Sequence, residues 1–308
     1  MRKILVIGAS GQIGSELVPE LRKVYGTENV IASDKDGNIS DFVISLNILD
    51  KDFISKVIQE NEINTIFNLA SILSASGEKN PLKAWDVNLN GLLNVLEISK
   101  DHNIDRIIWP SSIAAFGPST PRLNTPNETI LDPNTIYGIT KVTGELLASY
   151  YFKKYNLDIR SVRLPGIISS KIYPKGGTTD YAVEIFYSAI IDKKYTCFVD
   201  KDTVLPMMYI ADCIKCLIDL LEADASSVKR RVYNVTSMSF SVEELANEIK
   251  KHIPEFKISY NPDFRQEIAD SWPKTIDDSF AREEWGWDPQ YDLEVMTKDM
   301  IEKLSKRL

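Results

Sequence analysis

The chain has 308 residues, 44% of them apolar and 26% charged, the balance of a globular protein with a sizeable core rather than a disordered one. A formal net charge of −8 argues against a nucleic-acid or anionic-membrane partner. No apolar run approaches the roughly 20 residues needed to span a bilayer, and the first one stops at Gly8, too soon for a signal peptide. A cytoplasmic protein is the expectation.

In chain order, short apolar runs alternate with helical patterns, the sign of a parallel sheet covered by helices on both faces. Strands are expected at Lys3–Ile7, Val30–Ser33, Phe42–Ser45, Thr65–Leu69, Arg106–Pro110 and Ile159–Leu164. Helices are expected at Gln12–Val24, Lys51–Glu60, Trp85–Asp101 and Asn134–Lys154. After Gly166 the pattern changes to a Gly/Thr-rich loop, a helix at Asp180–Ile191, an extended run at Thr196–Val199 and a helix at Tyr209–Leu221. The run Arg231–Thr236 is placed to return to the main sheet. A helix at Val242–Lys251, an extended run at Lys257–Tyr260 and a last helix at Leu293–Leu308 complete the chain. The fold class expected is α/β: a doubly wound parallel Rossmann sheet (residues 1–166, with 203–236 returning to it) interleaved with a smaller α/β substrate-binding lobe (residues 167–202 and 237–308).

Gly8-Ala9-Ser10-Gly11-Gln12-Ile13-Gly14 follows the first strand and opens a helix. Glycines there permit a tight turn and close approach of backbone to a pyrophosphate, and the helix N-terminus presents free N–H groups to that anion. Asp34 ends the second strand, where a carboxylate accepts hydrogen bonds from an adenosine ribose and repels a 2′-phosphate. NAD is therefore expected rather than NADP, with Gly8, Gly11, Gln12, Ile13, Gly14 and Asp34 in its site.

Tyr137 and Lys141 are spaced i, i+4 at the start of a helix, on one face, so that an ammonium can stabilise a phenolate and the phenolate can take a proton from an alcohol. Ser111 and Ser112 follow the fifth strand, at the sheet end where ligands bind. Gly176-Gly177-Thr178-Thr179 ahead of a helix offers N–H groups and hydroxyls to a small carboxylate, beyond what an ordinary N-cap explains. Ser74 adds a hydroxyl; Trp272 is placed either to cover the site or to pack in the core, and Trp285 and Trp287 to dock the C-terminal tail. Cys213 and Cys216 form C-x-x-C within a helical pattern, with His102 and His252 the two histidines and neither near in sequence. Those thiols and Cys197 are read as packed, and no metal is expected.

Taken together, the glycine loop, Asp34, Asn68-Leu69-Ala70, Asn88 with Gly91, Ser111-Ser112 with Phe116-Gly117, Tyr137/Lys141 and Arg163-Leu164-Pro165-Gly166 resemble the extended short-chain dehydrogenases/reductases, which include UDP-galactose 4-epimerase. That resemblance implies Ser112, Tyr137 and Lys141 as catalytic residues and adds Leu69, Ala70, Asn88 and Leu164, with Tyr137 and Lys141, to the NAD site. Asn47 stands where relatives usually place an aspartate near the adenine. Leu73–Glu78, Pro174–Ala182 and the stretch from Ile268 to Trp287 resemble the short-chain, zinc-independent L-threonine 3-dehydrogenases. This implies oxidation of L-threonine at its 3-hydroxyl to 2-amino-3-oxobutanoate, with Ser74, Ser111, Ser112, Tyr137, Gly177, Thr178, Thr179 and Trp272 around the substrate, and by analogy a homodimer. A nucleotide-sugar epimerase or dehydratase shares the same triad. Such an enzyme needs cations for a pyrophosphate, and Lys171, Lys175, Arg265 and Lys274 are present in the small-lobe loops. A non-catalytic NAD sensor would not need the Ser–Tyr–Lys set.

Overall fold

A computed structural model describes residues 2–37 and 42–308. The first half builds β1 (Ile4–Ile7), α1 (Gly14–Tyr25), β2 (Val30–Asp34), β3 (Val43–Ser45), α2 (Lys51–Glu60), β4 (Thr65–Asn68), α3 (Ser74–Lys79), α4 (Pro81–Trp85), α5 (Gly91–Asp101), β5 (Arg106–Ile108), β6 (Ser111–Ser112), α6 (Ile136–Tyr155) and β7 (Ile159–Leu164). The second adds β8 (Gly166–Ile168), α7 (Tyr181–Ile191), β9 (Lys194–Cys197), β10 (Val204–Tyr209), α8 (Ile210–Glu222), β11 (Val232–Asn234), β12 (Met238–Ser241), α9 (Val242–His252), β13 (Lys257–Tyr260), α10 (Arg265–Asp270), α11 (Ser279–Trp285) and α12 (Leu293–Arg307).

The main sheet runs β3-β2-β1-β4-β5-β7-β11, with β6 paired to the end of β7, and its pairings are parallel. Alternate residues of each strand feed separate cores on the two faces. Ile4, Val6, Phe67, Ile108 and Val162 pack on one side, and Leu5, Ile7, Ile66, Ile107 and Ile159 on the other. Burial on both faces is why these strands read as continuous apolar runs. Val204–Tyr209 joins β8 and β12 in a three-stranded sheet, while β9 and β13 form a two-stranded one.

Two differences from the sequence reading bear on the site. Expected as one helix from Trp85, the segment up to Asp101 contains a π turn at Asp86–Asn90 between α4 and α5. Single π turns of this kind accompany functional sites, and this one carries Asn88. The strand expected to run to Pro110 ends at Ile108 because Pro110 has no N–H to donate, and the chain re-enters the sheet as β6. Among the described residues, no helix is long and apolar enough to cross a membrane.

Candidate active site

Chain order reverses direction across the sheet between β1 and β4, and the cleft beyond their C-terminal ends is where doubly wound sheets bind ligands. Register brings Ile7 level with Ser33 and Asn68, so Gly8, Asp34 and Leu69 emerge together. A cavity of about 420 Å³ opens there, running from the glycine loop past Ser112, Tyr137 and Lys141 to a wall made by Ser74, Gly177, Thr178, Thr179 and Trp272.

The glycine loop has the dimensions of an anion cradle. Gly8 has φ +91°, and a Cβ there would stand 2.8 Å from the Ala70 nitrogen; one at Gly14 would stand 2.3 Å from the Gly8 carbonyl oxygen. Gly11 differs: a Cβ would meet only that same oxygen, at 3.4 Å, so its open side faces the cavity. Asp34 accepts the Ser10 N–H at 3.0 Å, holding the carboxylate beside the loop. Asn68 Oδ1 is buried in the cavity wall without a hydrogen-bond partner among the described residues. A cradle a Cβ would fill, a strand-end carboxylate and an orphaned acceptor fit a dinucleotide.

Tyr137 reaches Ser112 because α6 carries glycine where the chains come closest. A Cβ at Gly138 would lie 2.2 Å from the Ala114 carbonyl, just beyond Ser112. Likewise Gly144 admits the Trp109 ring, which a Cβ would meet at 2.3 Å, and that ring lies 4.8 Å from Lys141 Nζ. Thr135 caps the helix by accepting the Gly138 N–H at 3.1 Å. Lys141 donates to the Pro110 carbonyl at 2.8 Å and lies 5.4 Å from the Tyr137 ring centroid. Burial pulls the Lys141 ammonium down to about 7, with Glu145 opposing. Burial pushes the Tyr137 phenol up to about 12, while the Ser112 and Ser71 hydroxyls draw it down.

Several expected residues have other duties. Ser111 lines the cavity, but its hydroxyl donates to Glu145 Oε1 at 2.5 Å, leaving Ser112 as the serine at Tyr137. The side chain of Asn88 lies outside the cavity lining. It clasps the Ile72 backbone, accepting its N–H at 2.7 Å and donating to its carbonyl at 3.0 Å, and so shapes the wall instead. Gln12 lines the cavity and donates to the Ile167 carbonyl at 3.0 Å, tying loop to lobe. Leu69, Ile13 and Leu164 line it; Ala70 lends its backbone to the fit against Gly8. Asn47 is exposed and caps its own turn by accepting the Leu49 N–H. Trp272 lines the cavity and is also part of the core, only 4% exposed, so both duties fall to one ring.

The Gly-Gly-Thr-Thr segment corrects its expected role. The Gly176 and Gly177 N–H groups do not face a ligand. They donate to Asp180 Oδ2 at 2.8 and 2.7 Å, and a Cβ at Gly177 would stand 2.6 Å from Asp180 Oδ1. The paired glycines let the chain wrap its own carboxylate. Asp180 lines the cavity and is pushed up to about 6 by burial, those N–H bonds opposing. Ser74 and Thr178 hydroxyls meet at 2.9 Å on the same wall. Sequence reasoning missed Asp180, Ser71 and Glu145. Asp180 was legible only as a helix-start acid, and Glu145 only as the next i+4 position after Lys141. Ser71 carried no signal.

The sequence model of the NAD dependent epimerase/dehydratase family matches residues 4–236. The chain belongs to that family. An uncharacterized epimerase/dehydratase of Staphylococcus aureus (strain USA300), a fellow member, is 46% identical over 315 residues, covering 100% of this chain and 98% of that protein. Among solved structures, an L-threonine dehydrogenase from Phytophthora infestans is 48% identical with TM-score 0.98 over 100% of both chains. A monomeric L-threonine 3-dehydrogenase from a metagenome is 47% identical, with TM-score 0.96 over 99% of both chains. Cys197, Cys213 and Cys216 are buried and free, and no three metal-ligating side chains cluster among the described residues.

Proposed function

We propose that the protein oxidises L-threonine at its 3-hydroxyl to 2-amino-3-oxobutanoate with NAD. The observation that carries this reading is the junction of Ser112 and Tyr137 midway along one cavity, with the glycine loop at one end and a wall fitted to a small zwitterion at the other. Asp180 and Lys175 line that wall on one loop, an anion for the substrate ammonium and a cation for its carboxylate, with the Ser74, Thr178 and Thr179 hydroxyls between. Gly8, Gly11, Ile13, Gly14, Asp34, Leu69 and Leu164 would hold NAD, and Lys141 its nicotinamide ribose. Bound NAD supplies the acceptor for the hydride leaving the 3-carbon.

The chain's own part is positional and protic. Ser112 orients the substrate hydroxyl, the Tyr137 phenolate takes its proton, and the Lys141 ammonium stabilises that phenolate. Trp272 and the Ile172–Pro174 segment line the cavity and keep water from the reacting carbon. Purified protein is to be given NAD and L-threonine, with NADP, L-serine and UDP-sugars in parallel. NADH formed with threonine and insensitive to chelator supports the reading; conversion of a UDP-sugar with silence on threonine overturns it.

A location and an assembly go with this function. Buried, unpaired thiols suit the reducing cytoplasm, and fractionation of cells tests that placement. Leu82 on α4 and Ile139, Leu146 and Tyr150 on α6 are exposed large apolar side chains, with Leu82 81% and Leu146 67% exposed, surface suited to a second copy of the chain. Sedimentation tests the homodimer.

A further inference from the structure

We propose that Glu145 is a positioning residue for the reaction, holding a buried negative charge beneath Lys141 and Ser111, and that Arg163 sets how much of that charge Lys141 feels. This rests on the reading above only in taking Lys141 and Tyr137 as the reacting pair's support.

Glu145 lies one turn beyond Lys141 and two beyond Tyr137 on α6, on the same face, and is 6% exposed. Each of its oxygens is used. Oε1 accepts from the Ser111 hydroxyl at 2.5 Å and from Arg163 Nε at 2.9 Å, and Oε2 accepts from Arg163 Nη2 at 2.8 Å. Arg163 also donates to the Asn127 carbonyl at 2.7 Å and Asn234 Oδ1 at 3.1 Å, and stacks 5.0 Å over the Phe116 ring. The carboxylate is thus anchored to β7, β11 and the loop before α6, and cannot swing to Lys141. Lys141 donates to a backbone carbonyl and lies near the Trp109 and Tyr137 rings.

A buried ammonium so placed needs a fixed anion nearby, since a backbone dipole does not replace a counter-ion. Glu145 supplies it at a distance, and the Arg163 fork cancels part of it. The ionisable groups near Lys141 are Tyr137 and Glu145 from its own helix, with Arg163 of β7 held on Glu145, and Tyr173, Lys175 and Asp180 in the lining of the same cavity. Removing a negative charge near Lys141 eases loss of its proton and lowers its midpoint, and removing a positive charge near it raises the midpoint.

The test compares Glu145→Gln with Arg163→Gln. Two readouts are taken: the acidic limb of kcat/KM against pH, and the pH midpoint for reductive methylation of Lys141 followed by peptide mass spectrometry. The second uses NAD-free protein and no substrate, so it stands even where threonine turnover fails. Expected are opposite shifts of about one pH unit, downward for Glu145→Gln and upward for Arg163→Gln, with Glu145→Gln/Arg163→Gln returning towards the parent. Should Glu145→Gln not fold, Arg163→Gln and the double variant carry the comparison. Shifts in the same direction, or the parent midpoint in every variant, overturn the proposal and leave Glu145 and Arg163 as packing alone.

Discussion

Ser74 Oγ and Thr178 Oγ1 stand 2.9 Å apart and join the start of α3 to the segment before α7, 104 residues distant in sequence. The Thr178 N–H also donates to Ser74, at 3.2 Å. With the Ser76 N–H, which donates to the Gly176 carbonyl at 3.2 Å, they hold the segment before α7 against the start of α3 and so shape the substrate wall.

Replacing Ser74 with alanine removes that pair and a hydroxyl facing the substrate's charged end. A hydrogen bond to a charged group contributes about 1.5–3 kcal/mol, so kcat/KM for threonine falls roughly 10- to 100-fold. NAD affinity stays within about twofold, because the glycine loop is untouched. Steady-state kinetics and a separate NAD titration check both halves.

Asp180 makes substrate binding depend on pH. Its carboxyl titrates at about 6, raised chiefly by burial. Above that pH it is an anion that accepts two N–H bonds and attracts the substrate ammonium; below it, the proton removes the attraction. The KM for threonine therefore rises as pH falls through about 6. In Asp180→Asn, KM is high at every pH and this limb disappears. A limb that survives in the variant would assign it to another group.

How far was this site legible beforehand? The glycine loop, Tyr137/Lys141 and Ser112 were readable because each is a local spacing on one strand–turn–helix; the bounds of Lys51–Glu60 follow from the helical spacing of Ile54, Val57 and Ile58 behind the Asp50 cap, and the end of Ile159–Leu164 from the proline after it. Asp180 was not, because sequence shows an acid opening a helix equally well as a cap and as a cavity wall. Its wrapping by Gly176 and Gly177 exists only once the loop is folded against Ser76. The place of Asn88 was hidden for a different reason. A π turn rotates that side chain onto Ile72, and helical periodicity alone does not reveal such a turn.

The two glycines Gly11 and Gly14 separate binding from folding. An alanine Cβ at position 14 would lie 2.3 Å from the Gly8 carbonyl oxygen and 2.7 Å from Ala9 Cα, all backbone, so α1 must move off the sheet. Gly14→Ala is expected to lower Tm and abolish NAD binding together. At position 11 the nearest atom is at 3.4 Å, so Gly11→Ala keeps the parent Tm while its methyl occupies space meant for the pyrophosphate, weakening NAD at least about tenfold. Thermal melts and NAD titration of both variants check this.

Tyr137→Phe tests the proton transfer itself. Loss of a positioned general base costs about 10²–10⁴ in rate, so kcat drops by that factor while KM for NAD is held by the unchanged cradle. Ser71→Ala is the subtler companion. Its hydroxyl lines the same cavity and draws the buried Tyr137 phenol down. Removing it leaves burial less opposed, raises the phenol, and moves the acidic limb of kcat/KM to higher pH with the plateau largely kept. Ser112→Ala also loses the plateau, since Ser112 orients the substrate hydroxyl as well. A Ser71→Ala profile superimposable on the parent would mean that Ser112 alone tunes Tyr137.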